Sequence, residues 1–320
     1  MKKISYCLLL AGLIGFTGCK ESTSSGVDTP VEEAQASKPL DVGYAMSIAR
    51  FDDQRLSYAK SVGVDYMEAS GMSTFVDGDL NFKMSEQEIR NTLERAKAAA
   101  DQAGVKIWSI HMPFGKNIDL SHADEDMRQK VVAVHSQLLE YLQILEPQVI
   151  LFHPSYYLGL NEREERTGQL IKSAKELNEK VQQIGAIMVI ENMLGPELLK
   201  DENQERPLMR SVEETVAIFE RLPQDIYAAV DMNHIKHPEQ LILALGDRMR
   251  SVHIADGTGQ AENHFFPCSG EGLNDWTAIL AALDKAGYTG PFMYESSPED
   301  AKEYLECYQK MYQEYQRTLD

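Results

Sequence analysis

The chain has 320 residues, 43 % of them hydrophobic, with 31 Lys and Arg against 50 Asp and Glu and a formal net charge of −19. So acidic a protein repels phosphate backbones and anionic lipid headgroups, which argues against nucleic acid as a partner and favours a small neutral one. Four cysteines are present, and their usage says little.

The N-terminal segment reads as a targeting signal. Lys2 and Lys3 give a positive start, Ile4 to Phe16 form a short apolar run, and "FTGC" ends in Cys19 after two small residues. The run is shorter than the roughly 20 apolar residues a bilayer span needs. Residues 1–19 resemble a bacterial lipoprotein signal, with a plain secretory signal as the alternative. The resemblance implies cleavage before Cys19, lipidation of Cys19, and a place in the bacterial cell envelope with the lipid as sole membrane contact. Loss of Lys2 and Lys3 takes the charge from −19 to −21. Residues 20–39, "KESTSSGVDTPVEEAQASKP", hold almost nothing to bury and read as a solvated tether. Cys7 leaves with the signal, so Cys268 and Cys307 alone remain in the globular part, and two cysteines do not make a disulfide framework.

Residues 40–320 (320 less 39, or 281 residues) suit a single α/β barrel of about 250 residues. Eight short apolar runs follow one another: "DVGYAMS" (41–47), "VDYMEAS" (64–70), "VKIWSIH" (105–111), "QVILFH" (148–153), "AIMVIEN" (186–192), "IYAAVD" (226–231), "RSVHIAD" (250–256) and "GPFMYES" (290–296). Near-continuous apolarity over such lengths marks parallel strands buried on both faces. Between them run helical patterns. "SEQE" (85–88) and "SVEE" (211–214) have the form of capping boxes, and Gly104, Gly185 and Gly287 stand where helices stop. Val131, Val134, His135, Leu138 and Leu142 lie at helical spacing, which makes His135 a helix residue touching the barrel. No G-x-G-x-x-G follows the first run, which removes the main dinucleotide-binding signal. Eight alternating units predict a single-domain (β/α)8 TIM barrel.

In such barrels the chemistry sits at the C-terminal ends of the strands. His111 ends the third run, His153 the fourth, Glu191 the fifth and Asp231 the sixth. His253 lies late in the seventh and Glu295 ends the eighth, while His234, Glu262 and His264 fall in the loops just beyond the sixth and seventh. A lone His or Glu at a strand end has a structural reading, as a hydrogen-bonded residue or a helix cap. Convergence of so many on one rim does not, because three buried carboxylates repel one another unless a cation lies among them. The mix of imidazole and carboxylate suits Mn, Zn or Co, with Mg also admissible. Trp108 points either into the core or towards the face of a bound ligand. Gly270 and Gly272 make a tight turn before the Trp276 helix, and 193–210 is long for a loop and forms either a lid or a surface insertion.

The "EN" at 191–192, "DxxH" at 231–234, "HIAD" at 253–256, "GEGLNDW" at 270–276 and the Glu295 strand end together resemble the xylose isomerase-like barrel superfamily, over essentially all of 40–320. The superfamily includes sugar isomerases, ketose 3-epimerases, inosose dehydratases and endonuclease IV. By this resemblance Glu191, Asp231, His253 and Glu295 hold one divalent metal, and Glu191 and Glu295 move a proton on and off a sugar carbon from opposite faces. Further positions match endonuclease IV: His111 and His153 with Glu191 at one zinc, and His234, Glu262 and His264 at another, with Glu262 where that enzyme has Asp. One metal is expected, and up to three sets of ligands are present.

The resemblance thus implies a carbohydrate isomerase or epimerase in which the metal stabilises an enediolate as a Lewis acid. A lyase or dehydratase on a keto-sugar or keto-glycoside is the alternative, with His111 or His153 as the extra acid or base. A phosphodiester hydrolase is opposed by the charge, and a non-catalytic sugar-binding lipoprotein has no use for two opposed glutamates. An exported protein meets unphosphorylated sugars and glycosides, and no Lys/Arg cluster stands at the rim. Sequence leaves the sugar and the oligomeric state open.

Overall fold

The computed structural model describes residues 38–156, 159–196 and 206–319. The signal, Cys19 and most of the tether lie outside them. The strands are β1 (Val42–Ser47), β2 (Tyr66–Ser70), β3 (Lys106–His111), β4 (Val149–Phe152), β5 (Ile187–Glu191), β6 (Ile226–Asp231), β7 (Met249–His253) and β8 (Phe292–Tyr294). The helices are α1 (Asp53–Ser61), α2 (Glu86–Ala103), α3 (Glu125–Leu142), α4 (Arg163–Gln183), α5 (Val212–Arg221), α6 (Pro238–Leu245), α7 (Trp276–Lys285) and α8 (Lys302–Gln316). The strands form one parallel sheet in the order β7-β6-β5-β4-β3-β2-β1-β8. A parallel bridge between Ile254 and Tyr294 closes the remaining seam. The eight runs therefore build the (β/α)8 barrel that their alternation predicts. Among the described residues no helix is long and apolar enough to cross a membrane.

Two apolar layers hold it together. The larger lies between sheet and helices, where Ile150, Phe152, Ile190 and Val230 meet Leu138, Leu170 and Leu241. Each such side chain contributes roughly 1.5–3 kcal/mol when fully buried. The smaller fills the barrel: Val149, Leu151, Val189 and Ala229, with Trp108, Ile187 and Tyr227 against them. Side chains alternate along a strand, so continuing these inward rows by two residues reaches His153, Glu191 and Asp231. The polar rim stands directly on an apolar floor.

Ser85 and Glu88 form a complete capping box at the start of α2. At α5 only half of the expected box forms. Ser211 accepts from the Glu214 N–H, but the Glu214 carboxylate is drawn instead into a bidentate pair with Arg163. Gly104, Gly185 and Gly287 adopt the left-handed conformations (φ 71°, 78° and 69°) that end a helix without the Cβ penalty. His135 lies buried in α3, its ring edge-on to Phe152 at 5.4 Å.

The structure pairs the two remaining cysteines, which sequence reading left without a role. Cys268, in the loop after β7, and Cys307, in α8, form a disulfide across 39 residues. The pairing is invisible in sequence because only barrel closure brings α8 beside that loop. The structure also decides the orientation of Trp108. Register runs Met67↔Ile107 and then Glu68↔Ser109, so Trp108 is an additional residue in β3. This irregularity turns Trp108 into the barrel floor, against Val149 and Leu151, and away from the rim.

Candidate functional site

Strand ends and the loops after them bring nine predicted residues to one mouth of the barrel. The centre is His253, whose Nδ1 lies 2.7 Å from Glu191 Oε1, 3.0 Å from Glu295 Oε2 and 4.0 Å from Asp231 Oδ2. Glu191, Asp231 and His253 are fully buried, and Glu295 remains partly open to the mouth.

The chain beyond β6 fixes Asp231. The backbone N–H groups of Asn233 and His234 both donate to its Oδ1, at 2.5 and 3.1 Å. Its own N–H donates to Asn192 Oδ1 at 2.8 Å. The spacing D-x-N-H is therefore a turn that ties one carboxylate oxygen and leaves Oδ2 facing the site. Asp231 Oδ2, Glu191 Oε2 and His234 Nε2 are buried without a hydrogen-bond partner among the described residues. Such atoms are costly unless something coordinates them.

The imidazoles are oriented by their far nitrogens. His111 Nδ1 donates to Met112 O (3.0 Å), His234 Nδ1 to Asn192 O (3.0 Å) and His264 Nδ1 to Glu295 O (3.2 Å). A carbonyl only accepts, so these Nδ1 atoms carry protons and each Nε2 faces the mouth. His253 is reversed: Nδ1 faces the carboxylates, and Nε2 turns to Glu68.

Three sets of donor atoms converge, each within 4.8 Å: Glu191–Asp231–His253–Glu295, His111–Glu191–His253 and Asp231–His234–His264. The first is the predicted single-metal set. The second replaces the expected His153 with His253, although His153 Nε2 lies 3.1 Å from Glu191 Oε2, closer than His111 Nε2 at 3.8 Å. The third includes Asp231, so Asp231 and His234 do not separate cleanly into different sites. Glu262 Oε1 sits 3.6 Å from His234 Nε2 and 3.5 Å from His264 Nε2, so its longer arm reaches both. Nitrogen and oxygen donors in these numbers fit a divalent transition metal.

The carboxylates demand positive charge. Burial disfavours a charged His234, yet Asp231, Glu262 and the glutamates outweigh it and hold its pKa up at about 10. His264 is held up to about 9 in the same way, burial being overcome chiefly by Glu262. Burial raises Asp231 to about 6, with Glu191 adding to it and His234 opposing. Burial also lowers His153, and the Glu191 carboxylate offsets only part of this.

Sequence reading missed two residues here. Glu68, mid-way along β2, is fully buried and bonded to His253. Its signal was a carboxylate between Met67 and Ala69 in an apolar run, hidden because it is not a strand end. Phe114, 56 % exposed, stacks on His153 with centroids 4.1 Å apart. The "GEGLNDW" segment proves to be a backbone device. Asp256 accepts from Gly257 N, Asn274 N and Trp276 Nε1, and a Cβ on Gly272 would lie 1.9 Å from Asp256 Cγ. Of the loop 193–210 the stems are described: Met193 N–H donates to Met209 O, and Gly195 N–H to His234 O.

Residues 56–311 match the family described as xylose isomerase-like TIM barrel. The chain belongs to that family. A putative L-ribulose-5-phosphate 3-epimerase, SgbU, of Escherichia coli K12 is 27 % identical over 260 residues, covering 78 % of this chain and 85 % of its own. Two solved structures share the fold. A D-tagatose 3-epimerase-like protein superposes with a TM-score of 0.67 at 19 % identity, over 87 % of this chain and 99 % of its own. The 3-keto-D-glucoside 4-epimerase YcjR of E. coli superposes with a TM-score of 0.61 at 17 % identity, over the same shares.

Proposed function

We propose that this xylose isomerase-like barrel is a metal-dependent carbohydrate epimerase or isomerase that moves a proton at a carbon beside a sugar carbonyl. The observation that carries the reading is the convergence of Glu191, from β5, and Glu295, from the end of β8, on His253 Nδ1 at 2.7 and 3.0 Å with Asp231 beside them. Glu191, Asp231, His253 and Glu295 would hold the metal, which when bound supplies Lewis-acid stabilisation of negative charge on a substrate oxygen. Glu191 takes a proton from one side of the carbon and Glu295 returns one from the other. General acid–base transfer of this kind contributes about 10²–10⁴-fold. His153 Nε2 stands 3.1 Å from the second oxygen of Glu191, while Phe114 over His153 offers an apolar face to a sugar ring. The names of the E. coli relative and of both structural neighbours support an epimerase.

The substrate we infer is an unphosphorylated sugar, keto-sugar or glycoside, since the converging side chains are acidic, imidazole and aromatic with no Lys or Arg among them. A second reading, a keto-sugar or keto-glycoside lyase or dehydratase, is favoured by the two imidazoles His111 and His153 beside Glu191, either of which suits protonation of a leaving oxygen. We also propose attachment to the bacterial cell envelope through a lipid on Cys19. The Cys268–Cys307 disulfide supports an oxidising compartment.

Metal analysis of the purified protein, before and after chelation, tests the proposal together with turnover of ketoses, aldoses and keto-glycosides. At least one tightly held Mn, Zn, Co or Mg per chain and metal-dependent interconversion are expected. Elimination products in place of isomers would select the second reading. A protein that retains no divalent metal would overturn both. Fatty-acid labelling lost in Cys19→Ser checks the anchor.

A further inference from the structure

The floor of the barrel holds one carboxylate that the proposed proton transfer does not use. Glu68 is fully buried within β2, between Met67 and Ala69, two residues before the strand ends. A carboxylate there is costly unless its partners are exact in type and aim. Among the described residues its partners are two. Ser109 Oγ donates to Glu68 Oε2 at 2.6 Å, and His253 Nε2 lies 3.1 Å from both Glu68 oxygens. The register irregularity in β3 is what sets Ser109 opposite Glu68, since regular pairing would have put Trp108 there.

His253 differs from its neighbours in how it is aimed. His111, His234 and His264 are each turned by a backbone carbonyl on Nδ1 and present Nε2 to the mouth. His253 presents Nδ1 to Glu191, Glu295 and Asp231, and the group behind it is an anionic side chain. A nitrogen that ligates metal cannot carry a proton, so a ligating Nδ1 requires the imidazole proton on Nε2. Glu68 accepts there, and only a group without a proton to donate fixes that tautomer. A carboxylate behind a ligating histidine also raises the basicity of the ring, and loss of such a partner typically weakens metal binding by about 10–100-fold.

We infer that Glu68 is a positioning residue for the metal site: held by Ser109, it locks His253 with Nε2 protonated and Nδ1 aimed at the metal shared by Glu191, Asp231 and Glu295. The inference rests on the metal reading of the site above. Glu68 itself touches neither substrate nor metal.

The experiment is metal affinity by chelator competition, with Zn and Mn as probes, on wild type, Glu68→Leu, Glu68→Gln and Ser109→Ala. Proton NMR of the Zn-loaded, ¹⁵N-histidine-labelled proteins accompanies it. Glu68→Leu is expected to lose about 10–100-fold in affinity for both metals. Glu68→Gln, nearly the same shape, keeps an acceptor and loses less, and Ser109→Ala loses least. In wild type the His253 Nε2 proton resonates far downfield, bonded to a carboxylate. It moves upfield in Glu68→Gln, a change that a merely space-filling role would not produce. If Glu68→Leu does not fold, the Gln and Ser109→Ala variants carry the test. Variants matching wild type in affinity with an unmoved Nε2 proton overturn the role of Glu68 and leave the metal reading intact. Wild type that binds neither metal overturns the metal reading, and this inference with it.

Discussion

His135 links the helical layer to the strand that ends at the site, and it gives the protein an acid sensitivity whose size follows from its burial. The ring sits in α3 against Phe152 of β4, buried, with neither nitrogen making a side-chain hydrogen bond among the described residues. Burial disfavours its charged form and lowers its pKa to about 4, against about 6.5 in an unfolded chain. The folded pKa is the lower of the two, so between them the unfolded chain binds the proton and the folded one does not. Stability from this residue is therefore present above about pH 6.5 and lost as pH falls towards 4. A shift of about 2.5 units is worth about 3 kcal/mol when complete, and about 2 kcal/mol is already lost at about pH 5. Replacement by Phe keeps a ring against Phe152 and removes the titration. Urea unfolding of chelated wild type and His135→Phe at about pH 7.5 and 5 isolates the effect, because site carboxylates titrate alike in both. Wild type should lose about 2 kcal/mol more than the variant over that interval. Equal losses would refute the assignment of a neutral buried imidazole.

Other outcomes follow from named contacts. Gly272→Ala sets a Cβ against the Asp256 carboxyl that holds Trp276 Nε1; overpacking of this kind typically costs about 1–3 kcal/mol, read as a lower urea midpoint with altered Trp fluorescence. Reducing Cys268–Cys307, or replacing both by Ser, frees a 39-residue loop; the chain-entropy relation puts the loss at about 4 kcal/mol, measured by unfolding with and without reductant. The same change loosens the end of the loop that bears Glu262 and His264, and thermal melts with added Zn should show a smaller metal-induced rise than in wild type. Glu191→Gln and Glu295→Gln should each lower turnover by about 10²–10⁴-fold with the fold intact by circular dichroism.

Much of the architecture could be read from the chain because a parallel barrel writes itself twice, in the eight apolar runs and in the polar residue that follows each of several of them. Glu191, Asp231 and His253 were legible because a strand buried on both faces has no other reason to finish on a charge. His153 and Glu295 lie just past the ends of β4 and β8, but the inward row of alternate residues still carries them to the rim. What escaped depends on three-dimensional neighbours. Glu68 sits inside its strand, where one carboxylate looks like a break in the pattern until His253 and Ser109 are seen beside it. Trp108 turns inward through a single extra residue in β3, which no periodicity records. Glu214 had the spacing of a cap but met Arg163, a stronger partner from another helix. Cys268 and Cys307 are adjacent only once α8 has packed on the closed barrel.

Solvent exchange reads the proposed proton transfer itself. The metal-loaded protein is incubated in D₂O with a panel of ketoses, aldoses and keto-glycosides and followed by NMR. Deuterium is expected at a carbon beside the carbonyl of at least one sugar, in wild type only, with the signal falling to background in Glu191→Gln and after chelation. No exchange with any sugar by the fully metal-loaded enzyme, or exchange undiminished in both Glu191→Gln and Glu295→Gln, would contradict it.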